Sequence, residues 1–147
     1  VEARRRSHRL LPETVDVLEQ LAGRFRLVMI TNGASSLQRE KVAAVGLERY
    51  FEHIVISGEV GVGKPEPAVF QHALGRVGAA PGDAAIVGDS VPRDIGGGAA
   101  AGVPAVWVNR QPATTAEPLP FPTIAQIRDL RELLPLFLGE NASVRSM

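Results

Sequence analysis

Residues 27–33 have the sequence LVMITNG, and this segment decides the fold. Four consecutive apolar residues are typical of a short strand that is buried on both faces, and the Thr-Asn-Gly turn ends it. Similar apolar runs occur at residues 54–56 (IVI), 84–87 (AAIV) and 105–108 (AVWV). These runs predict four buried strands.

Helical patterns separate the predicted strands. We expect helices over residues 10–25, 35–45, 66–77 and 93–101, and the last three are each followed by a glycine that can end a helix. A further amphipathic helix is expected over 124–138. Strands joined by single helices run parallel, because each helix returns the chain to the same end of the sheet. The predicted fold class is therefore α/β, a Rossmann-like parallel sheet flanked by helices.

Length and composition are those of one small domain. The chain has 147 residues, of which 45% are hydrophobic. We divide it into a helical segment (1–26), an α/β core (27–111) and a Pro-rich connection with a C-terminal helix (112–147). Sixteen basic and sixteen acidic residues give no net charge, which argues against nucleic acid as a partner. The absence of cysteine excludes thiolate metal sites, and no apolar run approaches the roughly 18 residues of a membrane span, so we expect a cytoplasmic protein.

Chemically capable residues follow three of the predicted strands. Thr31 ends the first strand and is followed by Asn32 and Gly33, Lys64 lies in the loop after the second strand, and Asp89 follows the third. In open α/β sheets ligands bind beyond the carboxyl ends of the strands. We therefore expect these residues to converge on one site.

The residue types at this predicted site suit a phosphate group. Thr31 offers a hydroxyl donor, and the backbone N–H groups of Asn32 and Gly33 lie at a helix start, where an anion is favoured. The Lys64 ammonium would neutralise phosphate charge. Thr31 and Lys64 also have an ordinary structural interpretation, since a threonine can simply end a strand and a lysine can lie on the surface.

Two aspartates could bind a divalent cation. Asp89 is followed five residues later by Asp94. Mg²⁺ is usually held by one or two carboxylates together with phosphate oxygens and water. We predict Asp89 as a Mg²⁺ ligand and Asp94 as a residue that orders the surrounding loop; the alternative for Asp94 is a simple acidic residue at a helix start.

The joint spacing of these motifs resembles a known family. The stretches TNG (31–33), GVGKPEP (61–67) and VGDS (87–90) with Asp94 look like motifs two to four of the haloacid dehalogenase-like hydrolases, in the subfamily with a helical cap. The resemblance implies a Mg²⁺-dependent phosphatase that acts on a small phosphorylated metabolite through an aspartyl-phosphate. Thr31 would then bind the phosphoryl oxygens, Lys64 would hold nucleophile and phosphate together, and Asp89 would ligate Mg²⁺. A 2-haloacid dehalogenase is an alternative within the family.

The family's first motif, an aspartate pair at the end of an apolar strand, has no match here. Asp16 is the only aspartate before residue 83, and it lies in a helical pattern with no strand before it. In the family the missing strand lies between the strands that end here at Thr31 and Gly88, so we expect a core that is incomplete at its N-terminus. Either the two halves close directly, or a partner chain or a second copy covers the open edges.

Two hypotheses of different class follow from this departure. In the first, the chain is part of a phosphatase and has no turnover by itself, because the nucleophilic aspartate is missing. In the second, it is a non-catalytic protein or subunit that binds phosphate or Mg²⁺. A phospho-receiver domain is disfavoured, because there the acidic pair comes first and the lysine last. The sequence does not identify the substrate.

Overall fold

The computed structural model describes residues 12–110 and 119–139. The first part of the helical segment expected at 1–26 and most of the Pro-rich connection lie outside these residues. The α-helices are α1 (Pro12–Ala22), α2 (Ser35–Val45), α3 (Ser57–Val60), α4 (Pro67–Val77), α5 (Gly96–Ala101) and α6 (Leu133–Leu138). The strands are β1 (Val28–Thr31), β2 (His53–Ile56), β3 (Ile86–Gly88), β4 (Ala105–Val108) and β5 (Ala125–Ile127). Within the described ranges, no helix has the length and apolar character needed to cross a bilayer.

All strand pairs are parallel, which confirms the α/β fold. The strands form two separate sheets, one of order β1-β2 and one of order β3-β4-β5. Met29 is opposite Ile54 in the first sheet, and Val87 is opposite Val106 in the second. The halves therefore do not close directly, because β1 and β3 make no strand pair with each other in the described part of the chain.

The strands with an unpaired edge are the less buried ones. All four residues of β1 are half-buried, so the expectation of a strand buried on both faces was wrong for this segment. In β3, Val87 is 40% exposed. By contrast, every residue of β4, which has a partner on each side, is buried.

Side chains rather than backbone hydrogen bonds join the two sheets. Leu27, just before β1, packs against a buried cluster that includes Val106 and Val108 of β4. Ile86 of β3 packs against a cluster built around Val55 of β2 and Phe70 of α4. Over the ranges that the structure describes, the two sheets therefore share an apolar core although no backbone ladder joins them.

The helix expected over residues 124–138 was wrong in its first half. Ala125–Ile127 form β5, which pairs with β4 and extends the sheet beyond residue 111, and α6 begins only at Leu133. Between them lies a 3₁₀ turn, Leu130–Glu132, with a capping box. The Asp129 side chain accepts from the Arg131 N–H, and the Glu132 carboxylate accepts from the Asp129 N–H. Pairing with the open edge of β4 overrides the helical spacing of the apolar residues.

Candidate functional site

The loops after β1 and β2 are joined by a pair of hydrogen bonds. Asn32 Nδ2 donates to the backbone carbonyl of Lys64, and the Lys64 N–H donates to Asn32 Oδ1, both at 2.9 Å. Gly63 lets the loops approach this closely, because a Cβ at this position would lie 2.7 Å from Asn32 Oδ1. Asn32 and Lys64 also line an open pocket, together with Ser57 and Gly63. Asn32 thus acts here through its side chain, which fixes the backbone of Lys64.

Lys64 reaches across to the other sheet. Its Nζ forms an ion pair with Asp94 Oδ1 at 2.7 Å, and the side chains are 16% and 8% exposed, respectively. Asp94 Oδ2 also accepts from the Ser90 N–H at 3.1 Å. Gly88 leaves room for this carboxylate, since a Cβ there would lie 2.4 Å from Asp94 Oδ2. The loops that carry Asn32, Lys64 and Asp94 therefore meet, and they do so through an ion pair that the sequence analysis did not predict.

The turn that carries Asp94 is wider than an α-helix. Val91–Ile95 form a π-helical turn in which the Gly96 N–H donates to the Val91 carbonyl, and α5 follows it. The helix expected over 93–101 thus has a different first turn. Single π-helical turns are frequent at functional sites. Here the turn buries Asp94, and Ser90 Oγ caps it by accepting from the Arg93 N–H.

Thr31 and Gly33 contact groups that the sequence interpretation missed. The Thr31 hydroxyl donates to Gln38 Oε1 at 2.9 Å, and the Gly33 N–H donates to Ser57 Oγ at 2.8 Å. The Gly33 N–H, one of the groups expected to meet phosphate, is therefore already paired. Ser57 could have been found by the rule that selected Thr31 and Asp89, since it directly follows the last residue of β2. Gln38 carries no such signal, because it lies within a helical pattern and not at the end of a strand.

Asp89 lies between Gly88 and Ser90, the two residues that border the Asp94 carboxylate. It is exposed, and its backbone carbonyl accepts from Trp107 Nε1 at 3.2 Å, which ties the loop to the buried strand β4. The described ranges contain no group of three or more His, Cys, Asp or Glu side chains that could hold a metal ion. The donor set fits a Mg²⁺ that takes one carboxylate from this chain and its other oxygens from phosphate and water. Asp94 is bound to Lys64, which leaves Asp89 as the carboxylate able to serve.

A charged cluster fixes α3 against α2 beside the site. Glu59 accepts two hydrogen bonds from Arg39, at 2.9 and 2.8 Å, and one from the Ser35 hydroxyl at 2.6 Å. The bonds from Arg39 and then from Ser35 lower the pKa of Glu59 to about 2. Because Ser57 is the first residue of α3, this cluster helps to hold its hydroxyl against Gly33.

Comparison with known proteins finds relatives among phosphatases and dehalogenases. A phosphoserine phosphatase of Thermus thermophilus is 43% identical over 137 residues, an alignment that covers 92% of this chain and 53% of that enzyme. The HAD-hydrolase YfnB of Bacillus subtilis, solved bound to magnesium, matches with a TM-score of 0.81 at 28% identity, over 90% of this chain and 57% of that one. A 2-haloacid dehalogenase of Pseudomonas syringae matches with a TM-score of 0.74 at 36% identity, over 84% and 51%. The chain spans about half the length of the curated relatives it matches.

A family model assigns most of the chain to one group. The model of the haloacid dehalogenase-like hydrolases matches residues 1–102. The match includes all the loops that meet around Lys64. The chain therefore belongs to the haloacid dehalogenase-like hydrolases.

Proposed function

We propose that this chain forms the phosphate-binding part of a Mg²⁺-dependent phosphatase for a small phosphorylated metabolite. The observation that carries the proposal is the Lys64–Asp94 ion pair of 2.7 Å. It holds a partly buried ammonium where the loops after β1, β2 and β3 meet. A fixed cation of this kind can bind a phosphoryl group without having to be ordered at the moment of reaction.

The other site residues have complementary parts in this proposal. Thr31 supplies a hydroxyl donor to a phosphoryl oxygen, and Asn32 keeps the Lys64 loop in place. Asp89 would hold Mg²⁺, which when bound neutralises charge on the phosphoryl group. The phosphoserine phosphatase relative and the magnesium-bound structure of YfnB support this choice. The cytoplasmic location expected from the sequence stays a prediction.

The nucleophile would come from a strand placed between β1 and β3. Both strands have an edge that pairs with no other strand in the described part of the chain. Unpaired edges expose backbone donors and acceptors that another strand can satisfy. Val87 of β3, at 40% exposed, is an apolar side chain that such a strand would cover. An apolar strand ending in an Asp-x-Asp pair would bring its carboxylates to the same end of the sheet as Lys64.

The experiment adds the strand and measures turnover. The chain alone is assayed on an aryl phosphate with Mg²⁺, and we expect no turnover. A fusion is then made in which an apolar strand ending in Asp-x-Asp precedes the chain through a helical linker, and we expect Mg²⁺-dependent phosphate release. The matched control has Asn-x-Asn in the same fusion. If the unfused chain turns over substrate and D89N abolishes that turnover, the claim that this chain lacks the nucleophile is contradicted. If the fusion folds but is inactive, the proposed position of the strand is contradicted.

The unfused chain and the fusion also distinguish the phosphatase from two alternative functions. The Pseudomonas syringae relative favours a 2-haloacid dehalogenase, which would release halide from a 2-haloacid and would not need the Asp89 carboxylate. A non-catalytic subunit would bind inorganic phosphate yet remain inactive in the fusion. We favour the phosphatase because Asp89 is exposed and Asp94 lies five residues after it, an arrangement closer to the phosphatases of the family.

A further inference from the structure

The side chain of Gln38 lies across the loop that follows β1. Gln38 belongs to the first turns of α2, where its N–H donates to the Ala34 carbonyl at 3.0 Å. Long helical side chains point back toward the helix N-terminus. Accordingly, Gln38 Oε1 reaches the Thr31 hydroxyl at 2.9 Å. A Cβ at Gly33 would lie only 2.5 Å from Gln38 Nε2, so the absence of a side chain at Gly33 is what lets Gln38 reach Thr31.

This contact determines what the Thr31 hydroxyl can do. A hydroxyl has a single proton to donate and two lone pairs that accept. While Thr31 donates to Gln38, it cannot donate to a phosphoryl oxygen. The carboxamide of Gln38 can serve both situations, because a half-turn of its terminal group exchanges the acceptor oxygen for the donor nitrogen. After the half-turn, Nε2–H donates to Thr31 Oγ1 and the threonine proton becomes available to the anion.

We infer that Gln38 is a positioning residue of the anion site. It holds the Thr31 hydroxyl in the free protein, and its amide turns over when a tetrahedral oxyanion binds. The inference rests on the proposed function, since it requires Thr31 to meet a phosphate oxygen. The inference also gives Gly33 a role other than binding phosphate. Its N–H donates to Ser57, and its lack of a side chain leaves the space that the Gln38 side chain occupies.

Titration of the ¹⁵N-labelled chain with inorganic phosphate tests the inference. We expect the side-chain amide signals of Gln38 to shift with the same apparent Kd as the backbone amides of Asn32 and Lys64. Shifts at Asn32 and Lys64 with a stationary Gln38 amide would overturn this inference and leave the proposed function standing. If none of these signals moves, both are overturned.

Variants separate positioning from packing and from charge. Q38M keeps the length of the side chain but has no donor to hold Thr31 Oγ1 with its proton directed at the anion. We expect the Thr31–phosphate bond to be largely lost and phosphate affinity to fall about fivefold, the effect of one hydrogen bond. Q71M, on the exposed face of α4, is the matched control and should bind normally. Q38E keeps only the acceptor and should lose more affinity than L37E, which adds the same charge at a side chain that is 50% exposed. Equal losses in Q38E and L37E, or normal binding by Q38M, would overturn the inference.

Discussion

The Lys64–Asp94 pair should be strongly coupled energetically. The two side chains are 16% and 8% exposed, so little solvent screens their attraction. Removing one partner of a fully buried pair costs about 3–5 kcal/mol, because the remaining charge is left unpaired. We expect about 3 kcal/mol for D94N, the lower end, since the lysine ammonium can still turn toward water. K64M should cost about as much. It leaves the buried Asp94 carboxylate without its cation, and among the bonds described above only the Ser90 N–H would still donate to it.

A double-mutant cycle measures the coupling free energy directly. Unfolding in urea, followed by circular dichroism, is measured for the parent chain, D94N, K64M and the double variant. The double variant has no unpaired charge, so its loss should be well below the sum of the single losses, and we expect a coupling free energy of about 2 kcal/mol. The control is the exposed pair of Arg26 and Glu52, whose side chains are 56% and 42% exposed and whose coupling should be smaller and vanish in salt. A Lys64–Asp94 coupling below about 0.5 kcal/mol, the level of independent sites, would refute the argument.

Three further predictions concern single positions. Hydrogen bonds from Arg39 hold the pKa of Glu59 at about 2, below its ordinary value of 4.5. The ionised Glu59 therefore stabilises the fold above about pH 4.5, and this contribution is lost as the pH falls toward 2. In urea titrations, the difference in free energy of unfolding between the parent chain and E59Q should shrink over that interval. G33A should lose about 1–3 kcal/mol in the same assay, because φ at Gly33 is +144° and the new Cβ would displace Gln38. I56A should lose about 2–5 kcal/mol, since Ile56 is 0% exposed, and a thermal shift of only a degree or two would contradict this.

Local signals predicted most of the regular structure. The strand Ala105–Val108 and the helix Ser35–Val45 have the expected bounds, and Gly46 ends that helix in the left-handed conformation that glycine adopts easily. The helix predicted for the first half of residues 124–138 was wrong because pairing with the edge of β4 is a tertiary effect that local sequence does not show. A local signal was nevertheless present, since Asp129 and Glu132 have the spacing of a capping box and mark the start of the last helical region.

The candidate site was only partly predictable for a similar reason. The rule that ligands bind at the carboxyl ends of parallel strands selects Lys64 and Asp89, because it depends on strand order alone. The partners of these residues depend on side-chain direction. Thr31 points to Gln38, and Gly33 pairs with Ser57, neither of which follows from strand order. The direct ion pair of Lys64 with Asp94 was likewise beyond the sequence, because the π-helical turn that buries Asp94 has no simple sequence pattern.

The site and the fold depend on the same few contacts. The loop of Lys64 belongs to the sheet of β1 and β2, and Asp94 follows β3 in the other sheet. Since no strand pair joins the sheets in the described residues, this ion pair and the shared apolar clusters hold the halves together. A strand seated between β1 and β3 would add two hydrogen-bonded ladders to that connection and would bind only the folded form. It should therefore stabilise the chain in proportion to its occupancy, so that completing the sheet and completing the site become one event.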